Sequence, residues 1–283
     1  TKPGDIVTIE KQDQPGIEIS MSGIKYESIP VDPENNTAGK AILSLLDTLE
    51  SKQGFKVHIE KGIPPGSGIG SSSASAAAAV VGVNELLNKP LENSELLVHG
   101  MAGEAVASGG FHADNIAPAL FGGIILIRSY EPLDILNLPV PKKLFSTAVL
   151  PDFIVNTLDA RRLLPKRVPL KSAVEQAGNL AGFTLGLHES DFDLLGRSMV
   201  DLFAEPFRAE LIPGYPSVRQ SAMDAGAIGC GISGSGPALF ALSDSLEIAE
   251  QIGITMVDAF KKAGLKSIAY STPIHTKPPE ILD

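Results

Sequence analysis

A glycine-dense junction at residues 64–75 constrains this chain more than any other segment. Its sequence, PPGSGIGSSSAS, runs directly into an alanine-rich stretch from Ala76 to Val83. Gly66, Gly68 and Gly70 permit positive φ angles and close backbone approach, and the alanines favour a helix. The first N–H groups of a helix have no partner inside it, so they bind anions readily. We therefore expect a turn that opens into a helix and holds a phosphate group.

This junction fits neither of two familiar phosphate-binding motifs. A P-loop places a lysine after its last glycine, whereas Gly70 is followed by Ser71 and Ser72. A dinucleotide-binding fingerprint needs a third glycine where this chain has Ser71, and Pro64 and Pro65 interrupt the tight strand-to-helix turn. On these residues alone, a glycine-rich loop that serves only packing remains the alternative.

Composition excludes several classes of protein. The 283 residues suffice for one large domain or two ordinary ones. Cys230 is the only cysteine, which argues against a disulfide framework or a Cys-based zinc site and favours a reducing cytoplasm. A formal charge of -10 disfavours a nucleic-acid or anionic-membrane partner. The longest apolar run, Ala74 to Val83, is far shorter than the roughly 20 residues of a membrane span.

Strand and helix patterns alternate irregularly, which predicts an α+β fold. We expect a domain boundary at the proline-flanked stretch from Pro139 to Pro141, giving domains at 1–141 and 142–283. The predicted strands are 6–11, 17–21, 55–60, 122–128, 144–150, 238–242 and 267–271, and the predicted helices are 37–50, 72–87, 93–108, 170–188, 191–200 and 246–263.

One carboxylate stands out on a predicted helix. Leu97, Met101 and Glu104 are spaced i, i+4, i+7, so they share a face and put Glu104 among apolar neighbours. Such a carboxylate forms a salt bridge or binds a cation, and Mg²⁺ on nucleotide phosphates takes only one or two protein oxygens. Ser72, at the start of the glycine-loop helix, is either a helix cap or a second oxygen for that metal.

Three further segments carry candidate binding groups. The turn 109–115 packs His112, Asp114 and Asn115 just after the Glu104 helix, although such a turn often bonds only to itself. Arg161 and Arg208 lie beside proline-limited segments and suit bidentate capture of a carboxylate, although surface arginines are usually solvated.

These segments together resemble one family. Residues 64–75 and 233–237 are similar to the second and third motifs of the GHMP small-molecule kinases, which phosphorylate hydroxyl groups with Mg-ATP. Within that superfamily, residues 103–109, 112–119 with 122–123, 156–157 with 160–161, and 205–213 resemble the homoserine kinase family. The likeness extends from near residue 1 to the last predicted helix, with its motifs in the same order.

The resemblance implies a GHMP kinase fold, with an N-terminal ribosomal-protein-S5-like α+β domain and a C-terminal ferredoxin-like α+β domain. It implies ATP-dependent phosphorylation of L-homoserine to O-phospho-L-homoserine in threonine biosynthesis, with ATP and Mg²⁺ required, and it is compatible with a homodimer. Residues implied to wrap the triphosphate are Pro64, Pro65, Gly66, Ser67, Gly68, Ile69, Gly70, Ser71, Ser72, Ser73 and Ala74.

Further roles follow from the same resemblance. Ser72 and Glu104 would hold Mg²⁺, and His112, Arg161 and Arg208 would contact the amino-acid substrate. Thr157 and Arg161 are the implied catalytic residues, with Thr157 close to the reacting hydroxyl; no residue convincingly acts as general base, although His112 remains a candidate. Residues expected to support the phosphate loop from the second domain are Ser233, Gly234, Ser235 and Gly236.

One family motif has no counterpart here. The family opens with a segment of the form Pro-Ala-Thr-x-Ala-Asn-x-Gly-x-Gly-Phe-Asp, and we expect this chain, which starts at Thr1 without methionine, to begin after it. A non-catalytic GHMP-fold sensor is therefore one alternative, and a mevalonate-type or sugar-type kinase is another. Intact Ser72 and Glu104 argue against the sensor, and two arginines with a histidine favour an amino-acid carboxylate.

Overall fold

The first sheet carries the glycine loop at one of its ends. The computed structural model describes residues 4–155 and 157–282, apart from the side chains of Ser108, Thr157 and Leu158. The first three strands are β1 (Ile6–Gln12), β2 (Ile17–Gly23) and β3 (Gly54–Lys61). The central strand, β3, runs antiparallel to β1 and parallel to β2. Its alternate residues from Phe55 to Lys61 are buried, so the helices pack on that face.

Four helices follow in the first half: α1 (Thr37–Thr48), α2 (Ser71–Leu86), α3 (Asn93–Ser108) and α4 (Ile116–Phe121). Local signals set their starts. The Asn36 side chain accepts the N–H groups of Ala38 and Gly39 at 3.0 and 3.2 Å, and Glu92 and Glu95 form a capping box on α3. The predicted helices 37–50, 72–87 and 93–108 are confirmed to within two residues. The short α4 was not predicted.

A β-hairpin contacts hydrophobic clusters in both halves of the chain. Its strands are β4 (Ile124–Tyr130) and β5 (Leu133–Leu138), which pair antiparallel as a separate sheet. Ile125 and Ile135 pack against the core of the first half, whereas Ile124 and Leu138 pack against a cluster in the second half. Because strand side chains alternate between faces, one hairpin can contact both cores. The strand β5 was not predicted.

The second half is built on a four-stranded antiparallel sheet. Its strands β6 (Phe145–Pro151), β7 (Gly229–Ile232), β8 (Leu239–Ser243) and β9 (Ser267–Pro273) lie in the order β7-β8-β6-β9. The helices α9 (Tyr215–Asp224) and α10 (Leu246–Lys262) share a core with this sheet that includes Val149, Val218, Leu239 and Phe260.

Further elements complete the fold. They are α5 (Thr157–Arg162), α6 (Leu170–Glu189), α7 (Phe192–Ser198), α8 (Glu205–Arg208) and the 3-10 turns Tyr26–Ser28 and Ala209–Leu211. The α+β class is confirmed, whereas the boundary between residues 141 and 142 stays a prediction. Among the described residues, no helix has the length and apolar character that crossing a membrane requires.

Candidate active site

The glycine loop has the backbone conformation that its sequence predicts. Gly66, Gly68 and Gly70 have φ angles of +68°, +85° and +77°. Gly70 ends the loop as the N-cap of α2, and it has no side chain to accept the N–H groups of the first turn. Ser71 follows immediately as the first helical residue, one position before the predicted start. A helix N-terminus without a side-chain cap is suited to an anion.

The second glycine cluster packs directly against this loop. The Ser233 hydroxyl donates to the Gly68 carbonyl at 2.8 Å, and the Ala238 N–H donates to the Ser67 carbonyl at 3.3 Å. A Cβ atom on Gly68 would lie 2.8 Å from the Gly236 carbonyl oxygen and 2.9 Å from that of Ser233. The expected contact between the two clusters is therefore observed, and glycine at 68 is required by both its φ angle and this approach.

Ser72 and Glu104 lie together at the start of α2. The Glu104 carboxylate is only 7% exposed and accepts hydrogen bonds from the Ser72 hydroxyl at 2.9 Å and the Ser73 hydroxyl at 2.7 Å. α3 can bring Glu104 this close because Gly103 packs against the Thr37 carbonyl of α1. A carboxylate beside a hydroxyl is the kind of oxygen set that Mg²⁺ prefers, so these two residues fit the predicted metal.

A cavity of about 530 Å³ extends from the glycine loop into the space between the two halves. Its wall includes most of the predicted site: Pro65, Gly66, Ser67, Gly68, Gly70, Ser71, Ser72, Glu104, His112, Arg161, Arg208, Gly234 and Ser235. Six predicted residues do not line the cavity: Pro64, Ile69, Ser73, Ala74, Ser233 and Gly236. The Thr157 side chain and Asn156 lie outside the described residues.

One part of the cavity wall carries His112, Arg161 and Arg208. An Arg161 Nη1 hydrogen bond at 3.0 Å is accepted by His112 Nε2, which requires the neutral ring with its proton on Nδ1. Arg208 Nη1 donates to the Gly234 carbonyl at 2.8 Å, and its buried Nε has no partner among the described residues. Burial lowers the pKa of Arg208 and nearby Arg161 lowers it further, whereas Asp201 and the cavity residue Asp114 oppose the shift. Two neighbouring guanidinium groups fit a carboxylate.

Several cavity residues were missed from the sequence. The segment 28–37 contributes Ser28, Ile29, Pro30, Asn35, Asn36 and Thr37, and β3 contributes Ile59 and Lys61. Asp114 and Asn115, which the sequence left without a role in binding, also line the cavity. Lys61 had a usable signal, because it continues the buried alternation of Phe55, Val57 and Ile59. A lysine in the inward phase of a strand needs a buried partner.

Comparisons with known proteins identify the family of this chain. The sequence matches the family model described as GHMP kinases N terminal domain over residues 36–123, and GHMP kinases C terminal over residues 183–262. A homoserine kinase from Chlorobium phaeobacteroides is 44% identical over 286 residues, covering 97% of this chain and 89% of that relative. A crystal structure of homoserine kinase from Cytophaga hutchinsonii superimposes with a TM-score of 0.96 at 44% identity, covering 100% of this chain and 90% of that chain.

A more distant similarity concerns the fold alone. Mevalonate kinase from L. major superimposes with a TM-score of 0.72 at 19% identity, covering 98% of this chain and 87% of that chain. Kinases for different acceptors thus share this architecture, and the acceptor has to be argued from the cavity wall.

Proposed function

This chain belongs to the GHMP kinases and, within them, to the homoserine kinases, and we propose that the cavity beside the glycine loop is its active site. The chain transfers the γ-phosphoryl group of ATP to the side-chain hydroxyl of L-homoserine, giving O-phospho-L-homoserine and ADP on the route to threonine. One observation carries the site proposal: the glycine loop and the group of His112, Arg161 and Arg208 line the same cavity.

The glycine loop and the first turn of α2 would hold the triphosphate. Gly66, Gly68 and Gly70 let the backbone approach the phosphates, and the first-turn N–H groups donate hydrogen bonds to them. Ser72 and Glu104 would hold Mg²⁺, which neutralises charge on the phosphates when it is bound. Their hydrogen bond, and that of Ser73 to Glu104, keep both oxygen ligands in place before the nucleotide arrives.

The part of the wall that carries His112, Arg161 and Arg208 would hold the acceptor. Arg161 and Arg208 bind the carboxylate of L-homoserine, so the side-chain hydroxyl at the other end of this short molecule reaches toward the loop. A bond then forms between the hydroxyl oxygen and the γ-phosphorus as the bond from that phosphorus to ADP breaks, and the hydroxyl proton is lost.

We assign no general base to that proton. While His112 Nε2 accepts the Arg161 hydrogen bond, its lone pair is occupied. A loose phosphoryl-transfer transition state depends mainly on positioning and charge stabilisation, so a strong base is not required.

A pair of adjacent arginines tests the acceptor assignment. Arg161 lines the cavity, whereas Arg162 is 78% exposed and paired with Asp159. We expect Arg161→Gln to lower kcat/KM for L-homoserine roughly 10- to 150-fold, the value of one charge-assisted hydrogen bond of about 1.5–3 kcal/mol. Turnover of 3-aminopropan-1-ol, which lacks the carboxylate, should change little, and Arg162→Gln should change neither.

ADP release provides the assay, with mevalonate and galactose as competing acceptors. Turnover of either one without turnover of L-homoserine would refute the substrate. If Arg161→Gln lowered turnover of L-homoserine and of 3-aminopropan-1-ol equally, carboxylate binding by Arg161 would be refuted.

The metal assignment has its own test. Glu104→Gln keeps the shape and one acceptor oxygen but removes the charge, and we expect kcat to fall at least about a hundredfold with a higher Mg²⁺ requirement. Near-normal turnover with unchanged Mg²⁺ dependence would leave Glu104 as a structural acceptor for Ser72 and Ser73. The role of Thr157, a homodimer and a cytoplasmic location stay predictions.

A further inference from the structure

A buried lysine lies directly behind the glycine loop. Lys61 is the last residue of β3, and its side chain is 1% exposed. Its Nζ donates to the Ser71 carbonyl at 2.8 Å and to the Ser75 hydroxyl at 2.8 Å, and it forms an ion pair with Asp5, whose side chain is 0% exposed. All three protons of the ammonium group are therefore used inside the protein.

Asp5 connects this lysine to both ends of the loop. One carboxylate oxygen accepts the N–H groups of Gly62 at 3.0 Å and Ile63 at 3.2 Å, where the loop begins. The other oxygen accepts the Ser75 hydroxyl at 2.6 Å, on the first turns of α2, and pairs with Lys61. A single buried carboxylate thus binds the residues just before the loop and a residue in the helix that follows it.

Stability alone does not explain a buried ion pair. Removing two charges from water costs free energy that their attraction rarely more than offsets, and well-packed apolar residues often serve stability equally well. Burial lowers the pKa of Lys61, and Asp5 opposes this effect, so the aspartate favours the charged lysine. We therefore expect the charged Lys61 ammonium group to have a role in the site that it contacts.

The position of the ammonium group supplies one. The Ser71 carbonyl that accepts its hydrogen bond belongs to the same peptide group as the Ser72 N–H, in the first turn of α2. A cation at the carbonyl end of a peptide polarises that group and makes its N–H a stronger donor. Ser71, Ser72 and Lys61 all line the cavity, and Lys61 Nζ contacts the carbonyl side of the peptide whose N–H would bind phosphate.

We propose that Lys61 is a positioning residue for phosphoryl transfer, which fixes and polarises the Ser71–Ser72 peptide from behind while Asp5 holds Lys61 in place. The proposal rests on the proposed function, in which that peptide binds nucleotide phosphate. The ammonium group of Lys61 would touch neither substrate, because its three protons are used inside the protein. Lys61 differs from the lysine of a P-loop, because it acts through the backbone.

Nucleotide binding tests the proposal without any acceptor. Lys61→Met leaves Asp5 unpaired in the interior, so we pair it with Asp5→Asn, which keeps an oxygen toward Gly62 and Ile63. For the double variant we expect a melting temperature close to that of the wild type, with ADP affinity measured by calorimetry weakened roughly tenfold. In turnover assays, KM for ATP should rise while KM for L-homoserine stays unchanged.

One control variant and one fallback variant separate this role from a purely structural one. Lys25→Met removes an exposed lysine that pairs with Asp152 at 2.7 Å, and ADP affinity should not change. Wild-type ADP affinity in the double variant would overturn the proposal, whatever its melting temperature. If the double variant does not fold, Asp5→Asn alone decides: weaker ADP binding supports the role, and unchanged binding refutes it. If L-homoserine were not the acceptor, the turnover assays would show it, and the ADP-binding measurements would be unaffected.

Discussion

Replacing Gly68 by alanine should reveal how tightly the two glycine clusters depend on one another. Gly68 has a φ angle of +85°, and a Cβ atom there would lie 2.8 and 2.9 Å from the carbonyl oxygens of Gly236 and Ser233. Gly66 provides the matched control, because its φ angle is +68° but a Cβ atom would meet only an Ile154 methyl group at 3.7 Å. Both variants therefore carry the backbone strain, and only one forces the clusters apart.

The magnitudes follow from these two geometries. A positive φ angle costs an alanine about 1–2 kcal/mol. Gly68→Ala must in addition disrupt the hydrogen bonds from Ser233 to Gly68 and from Ala238 to Ser67, at about 0.5–1.5 kcal/mol each. We expect a total of about 2–5 kcal/mol for Gly68→Ala against about 1–2 kcal/mol for Gly66→Ala. At about 2–4 °C per kcal/mol, Gly68→Ala should melt several degrees below Gly66→Ala.

Thermal unfolding followed by circular dichroism measures this difference, and calorimetry with ADP measures the accompanying loss of nucleotide affinity. If both variants melt at the same temperature, the close approach of the two clusters contributes nothing, and the argument from the Gly68 contacts is refuted.

Three further predictions concern parts of the fold around the site. Burial lowers the pKa of His99, and Glu95 opposes this shift. The neutral His99 ring therefore contributes stability at pH values above its unfolded-state pKa, and this stability is lost as pH falls through the folded-state pKa. The melting temperature of His99→Leu should therefore fall less than that of the wild type between about pH 7 and about pH 5. Burial raises the pKa of the Cys230 thiol to about 12, so a thiol reagent at neutral pH should label Cys230 only after unfolding, and rapid labelling of the folded protein would contradict its burial. Gly103→Ala should separate α1 from α3 and destabilise the protein by several kcal/mol in chemical denaturation, roughly the cost of overpacking, whereas Gly178→Ala on α6, where a Cβ atom meets nothing within 4 Å, should stabilise it by about 0.5–1 kcal/mol.

Local signals made much of the fold predictable. Asn36 marks the start of α1, the glycine loop ends at the start of α2, and Ser245 caps α10 by accepting the Ile248 N–H at 3.3 Å. The strand β7 was missed because Gly229 and Gly231 suggest a turn, and only its pairing with β8 makes it a strand. The strand β5 was missed in the same way, since Pro132 and Pro139 flank it and its partner is β4.

The site also contains residues that local sequence predicts and residues that only the fold brings together. The glycine loop could be predicted because its residues are adjacent in the sequence and their φ angles follow from their identity. The grouping of His112, Arg161 and Arg208 came from a family resemblance, since no local pattern relates residues so far apart. Lys61 was missed as a cavity residue because its partner, Asp5, is 56 positions away and pairs with it only after β1 aligns beside β3.

The supports of the glycine loop have a consequence for how the chain is made. Asp5 precedes the loop, Glu104 follows it, and Ser233 reaches Gly68 across 165 positions of sequence. A chain still being synthesised folds from its N-terminus, so it has the loop long before it has Ser233 and Ala238. The contacts of the glycine loop with Ser233 and Ala238 can form only when the second glycine cluster has left the ribosome. A prematurely ended chain therefore lacks these contacts.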